Sequence, residues 1–152
     1  MKDALYNEKI MALAQAADFH APLHSPDATA TADNPLCGDR ATVEVSLETP
    51  LAEVANGDRR IMAVAHRTRG CILCQAAANA MADAAPGHSA ASVREVAGEL
   101  RRMLAEDGMA PTGDWADLGV FAPVRHHKSR HTCVLLPFDA LSEALEHAEG
   151  KR

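Results

Sequence analysis

The chain has little of what marks several large classes of protein. Four cysteines in 152 residues are too few for a disulfide scaffold, and no signal-peptide pattern precedes them. Its longest apolar stretches fall well short of the roughly 20 residues that a membrane-spanning helix needs. Positive charge is in deficit: 15 Lys and Arg stand against 21 Asp and Glu, for a net charge of −6, which argues against a nucleic-acid binder. Only Arg125-His-His-Lys-Ser-Arg-His131 is locally basic. No internal repeat or low-complexity stretch stands out. These absences predict one cytoplasmic domain spanning residues 1–152, with neither a membrane nor a nucleic acid as partner. A chain of this length buries about 68–70% of its unfolded surface, so no staple is needed for stability.

What is present is a sequence of elements. Tyr6, Ile10, Leu13 and Ala17 recur on one face and predict a helix over 3–18, with Pro22 as its outer limit. Residues 19–36 have little periodicity and read as a loop ending in the turn signal Asn34-Pro35. From Thr42 the period becomes two, with Val43, Val45 and Leu47 on one side and Glu44, Ser46 and Glu48 on the other. Extended backwards, that parity places Cys37, Asp39 and Ala41 on the face of the buried valines. A second strand is expected at 51–55, turning at Asn56-Gly57 into a third at 59–67. The second half is helical. An alanine-rich run from Cys71 to Ala85 stops at Pro86-Gly87, and Ser89 or Ser92 caps a helix to Asp107, with Glu95 completing a capping box on Ser92. Trp115, Leu118 and Phe121 suggest a short helix after Asp114. A final helix over 133–149 tolerates Pro137 only near its first turn, which sets Cys133 at the helix start. The class is therefore α+β, a small antiparallel three-stranded sheet packed against about five helices.

The chemistry lies in three separated cysteines, Cys37, Cys71 and Cys133, which only a fold can bring to one point. Cys71 and Cys133 fall at predicted helix N-termini, where unpaired N–H groups and the helix dipole favour a thiolate. With the Asp39 carboxylate they make a four-member set suited to tetrahedral zinc or to one face of an iron–sulfur cluster. A hard carboxylate among thiolates suggests a site that exchanges its contents. Two other readings stand beside this one. The set can be a structural zinc site, or Cys71 and Cys74 can form a redox couple, although on a helix Cys74 lies one turn in and packs as a small hydrophobe. His131 and Arg130 flank Cys133 as candidates for ligand, proton donor or thiolate-stabilising cation, and His66 faces either the site or the core.

The motifs resemble the U-type iron–sulfur cluster scaffolds, the family of IscU, SufU and the NifU N-terminal domain, over nearly the whole chain. Leu5-Tyr-Asn-Glu-Lys-Ile10 looks like the opening helix, Asn34-Pro-Leu-Cys-Gly-Asp-Arg40 like the Asn-Pro-x-Cys-Gly-Asp signature, Gly70-Cys71 like the second cysteine, and Cys133-Val-Leu-Leu-Pro-Phe-Asp-Ala-Leu141 like the third with its helix. The long stretch between Cys71 and Cys133, Thr132 in place of the IscU histidine, and Arg130 three residues before Cys133 are similar to the SufU branch. The resemblance implies a SufE/NifU-like fold and Cys37, Asp39, Cys71 and Cys133 as ligands of Zn2+, of iron or of a [2Fe–2S] cluster. It further implies Cys37 as acceptor of sulfur from a cysteine desulfurase, and cluster-accepting apo-proteins or carriers as further partners. The protein would be a scaffold or a zinc-dependent sulfurtransferase rather than a small-molecule enzyme. Some features depart from the family. The IscU chaperone motif is absent, the stretch from Cys37 to Cys71 implies an extended hairpin around Pro50–Asp58, residues 19–33 lack the usual Asn-Pro-Arg-Asn, and Cys74 replaces a small Ser or Ala.

Overall fold

A computed structural model describes residues 7–16, 21–36, 38–49 and 59–150. Helix α1 (Glu8–Gln15) starts where the Asn7 side chain accepts the Ile10 N–H at 3.0 Å, a side-chain cap that replaces a missing backbone partner. It stops before the predicted end at 18. Ala16 is already extended, and the amide of Asn79 on a later helix donates to the carbonyls of Leu13 at 2.7 Å and Ala16 at 2.8 Å.

Three antiparallel strands follow, β1 (Ala28–Asn34), β2 (Asp39–Leu47) and β3 (Ile61–Arg69), in the order β1-β2-β3. The predicted loop over 19–36 is thus corrected, because its second half is β1. Buried Ala28 and Ala30 alternate there with exposed Thr29 and Thr31, and the inward residues are too small to produce a strong hydrophobic period. The parity of β2 holds along its length, with Asp39, Ala41, Val43, Val45 and Leu47 all buried. The expected strand at 51–55, the turn at Asn56-Gly57 and the hairpin around Pro50–Asp58 lie outside the described residues. The third expected strand exists, displaced by two residues at each end.

Helix α2 (Ile72–Ala84) is apolar around most of its circumference and carries alanines at 76, 77, 78 and 80. A helix of that kind belongs inside, and its small residues let it approach closely: it packs on β3, on α1 and on α4 (His131–Gly150). Helix α4 covers β1 and β2. Helix α3 (Ala90–Ala105) packs on α4 and is capped by Ser89, whose hydroxyl accepts the Ser92 N–H at 3.1 Å; the capping box on Ser92 is not formed. The short helix expected after Asp114 is a 3-10 helix running from Gly113 to His126, and a second 3-10 turn, Lys128–Arg130, leads into α4. Helix α4 therefore begins two residues earlier than predicted, and Pro137 sits in its second turn. With no N–H at Pro137, the Cys133 carbonyl lacks the donor an uninterrupted helix would supply.

Candidate metal centre

The turn between β1 and β2 is built by its own sequence. Asn34, itself buried, accepts the Leu36 N–H on its side chain at 3.1 Å, and its carbonyl accepts the Gly38 N–H at 2.8 Å. Gly38 has a φ of +76°, a left-handed conformation that a side chain disfavours. The chain thereby re-enters the sheet with Asp39 opposite Asn34, and register turns the Asp39 side chain inward. Cys37 lies outside the described residues.

Beneath Asp39 is Gly70. A β-carbon there would lie 2.7 Å from the Asp39 carboxyl carbon, so only glycine lets the chain leaving β3 pass without displacing the carboxylate. The next residue, Cys71, is the extended N-cap of α2, and Cys133 lies in the first turn of α4. Two helix N-termini and one strand start therefore deliver a thiol each and a carboxylate to one place. One donor atom from each of Asp39, Cys71 and Cys133 lies within 4.8 Å of the others. Asp39 and Cys133 are buried and Cys71 is partly open.

The electrostatics separate the two thiols. The Cys133 thiol donates to Cys71, and the backbone N–H groups of Cys74 and Leu73 add to that; together they outweigh desolvation and the nearby Asp39 charge and lower the Cys71 thiol from 9.0 to about 6. Cys133 is driven strongly upward by the same hydrogen bond, then by burial and the adjacent negative charges, so it keeps its proton. Asp39 Oδ2 is buried and has no hydrogen-bond partner. The Asp39 carboxylate is hydrogen-bonded to Cys133, and its remaining oxygen, buried and unpartnered in a cluster with two sulfur donors, leaves an arrangement that a cation completes. The soft-and-hard donor set fits zinc or iron.

The other predicted residues stand elsewhere. Cys74 is fully buried in the core, and its backbone N–H bonds the Cys71 sulfur. His131 Nε2 bonds the Arg125 carbonyl at 3.2 Å, which ties the 3-10 segment to α4. Arg130 is partly buried. His66 faces the core, 2% exposed, with Nε2 donating to Asn79 Oδ1 at 2.7 Å and Nδ1 bonded to Thr68 Oγ1 at 2.9 Å. Sequence reasoning missed two residues that shape the site or its frame. One is Gly70 as the seat for Asp39. The other is Asn79, the single polar residue within the apolar run Ala76–Ala82, a pattern that signals a buried hydrogen-bonding duty.

Over residues 5–134 the sequence matches the family described as the NifU-like N terminal domain. The chain belongs to that family. Its members are the U-type scaffolds of iron–sulfur cluster assembly. The fold agrees: the N-terminal NifU-like protein from Brucella abortus is 35% identical, superposes with a TM-score of 0.87, and the match covers 99% of this chain and 98% of that one. A putative iron–sulfur cluster assembly scaffold protein for the SUF system from Fervidobacterium islandicum AW-1, 24% identical, has the same fold, with a TM-score of 0.78 over 93% of this chain and 96% of its own. Comparison with the curated proteins finds no match. The U-type family is thus reached from the fold as well as from the motifs. No helix among the described residues is long and apolar enough to cross a membrane.

Proposed function

We propose that this U-type scaffold protein accepts sulfur from a cysteine desulfurase and assembles or relays it at a site made of Cys37, Asp39, Cys71 and Cys133. The observation that carries the reading is the convergence of Asp39, Cys71 and Cys133 with one carboxylate oxygen buried and unpartnered. A zinc ion held there would keep the thiolates ionised between turnovers. A [2Fe–2S] cluster would be cargo, built and passed to an apo-protein or carrier.

The residues of the chain do the rest. Cys37 lies in the sequence between Leu36 and Gly38, and its thiolate is the proposed sulfur acceptor. In the transfer it attacks the outer sulfur of a persulfide on the partner; the partner's S–S bond breaks, a new one forms on Cys37, and the electron pair leaves on the partner's cysteine sulfur. Cys71, ionised near neutrality, supplies the next thiolate for holding what arrives. The SufU branch is the variant favoured, on the long segment between Cys71 and Cys133, Thr132 in place of histidine, and Arg130 before Cys133. The reducing cytoplasm, where cysteines remain free thiols, is the fitting compartment.

Metal and iron analysis beside a visible spectrum of protein purified without air tests the reading. Zinc is colourless and a cluster is coloured; either, lost together with Asp39→Ala and Cys71→Ser, supports the site. A protein that binds neither contradicts it.

A further inference from the structure

The face of the sheet turned away from the helices holds an arrangement that folding alone does not favour. Arg40 of β2 lies directly across from Arg69 of β3, and Thr42 lies across from Arg67. Like charges in opposed positions destabilise a sheet. Arg40 is partly answered by Asp33 of β1, whereas Arg67 and Arg69 are exposed and have no acidic partner among the described residues. The chain carries a net charge of −6, so this local cationic patch runs against the composition of the whole. It also abuts the metal centre. A hollow of about 330 Å³ is walled by Arg40 and Arg69 together with Asp33, Gly38 and Asp39, and a second, of about 270 Å³ and with no acidic wall, lies among Arg40, Thr42, Arg67 and Arg69. Pro35 and Gly38, which line the first hollow, belong to the turn that carries Leu36, 96% exposed yet fixed by the Asn34 side chain. A large apolar side chain fixed in water beside uncompensated arginines has the composition of a binding anchor with a charged rim.

We propose that Leu36 with Arg40, Arg67 and Arg69 forms the docking surface for a carboxylate-bearing face of the sulfur-donating desulfurase. This rests on the sulfur-accepting reading above. The arginines orient the encounter with acidic groups, and Leu36 enters an apolar recess next to them. The position of the patch then brings the donor to the turn that precedes Asp39.

Binding of the purified cysteine desulfurase of the same organism, measured at low and high salt, tests this. Wild-type binding weakens steeply with salt. The double variant Arg67→Glu/Arg69→Glu binds at least about 10-fold more weakly at low salt and shows a flattened salt dependence. Leu36→Ala binds about 10-fold more weakly at both. Metal content stays at the wild-type level, and Arg69→Glu melts no lower than wild type because it sets a carboxylate opposite Arg40. A double variant that binds like wild type, with the same salt dependence, overturns the docking surface and leaves the sulfur-accepting reading standing. A desulfurase that binds neither protein overturns both.

Discussion

Asp39, Cys71 and Cys133 divide their chemistry unequally, and each asymmetry has a measurable consequence. In metal-free protein the Cys71 thiol is lowered to about 6, because the Cys133 thiol donates to it. Thiolate is the reactive form, so alkylation of Cys71 should rise with pH through a midpoint near 6, as read by mass spectrometry. Cys133→Ala removes the donor and should shift that midpoint up toward the ordinary value of 9.0, while Cys133→Ser, which keeps a donor, should restore most of the depression. Asp39 shows the opposite bargain between stability and function. Its Oδ2 is buried without a partner, so Asp39→Ala should raise the stability of metal-free protein by about 1–3 kcal/mol in a denaturant titration while weakening metal binding. Gly70→Ala should leave the fold intact, since its backbone φ is ordinary. The new methyl displaces the Asp39 carboxylate and should lower metal affinity by about 10–100-fold in a chelator competition.

At the scale of elements, the molecule places its site by starting two helices and one strand at one end. Helix α1 is attached differently, through polar groups. Thr68, His66 and Asn79 form a chain of hydrogen bonds, buried at its His66–Asn79 link, that ends on the carbonyls of Leu13 and Ala16. Asn79→Ala should therefore lower amide-exchange protection selectively in α1 and destabilise the protein by about 1–3 kcal/mol. Which elements were legible in the sequence follows from the strength of their periods. The β2 valines alternate cleanly, and their parity, carried back to Asp39, puts that carboxylate on the inner face from sequence alone. The inner residues of β1 are alanines, which bury little surface, and its register comes from pairing with β2, so sequence alone read it as loop. The 3-10 helix over Gly113–His126 carried the apolar anchors Trp115, Leu118 and Phe121, but its pitch and its extent through Pro123 come from packing on α2 and α3. The seat that Gly70 provides for Asp39 is a contact between β3 and β2, invisible in either segment by itself.

For the whole molecule, the continuous core is the decisive quantity. It links α1, the sheet and the long helices through buried apolar side chains, and touches the metal centre only at Cys133 and, beside it, Cys71. Chelation should therefore leave the far-ultraviolet circular dichroism and a cooperative melt in place, unlike a small structural zinc domain, which unfolds without its ion. A thiol-redox role for Cys74 is opposed by its complete burial in that core. The motif order in the sequence was enough to indicate the family, and the folded chain adds the reason that distant residues meet. On the proposed function, sulfur is received by Cys37, between Leu36 and Gly38 in the sequence. Incubating the protein with a cysteine desulfurase and cysteine, then locating the added sulfur by mass spectrometry, tests it most directly. A persulfide is expected on Cys37 and is lost in Cys37→Ala; sulfur transfer undiminished in Cys37→Ala rules out Cys37 as the acceptor.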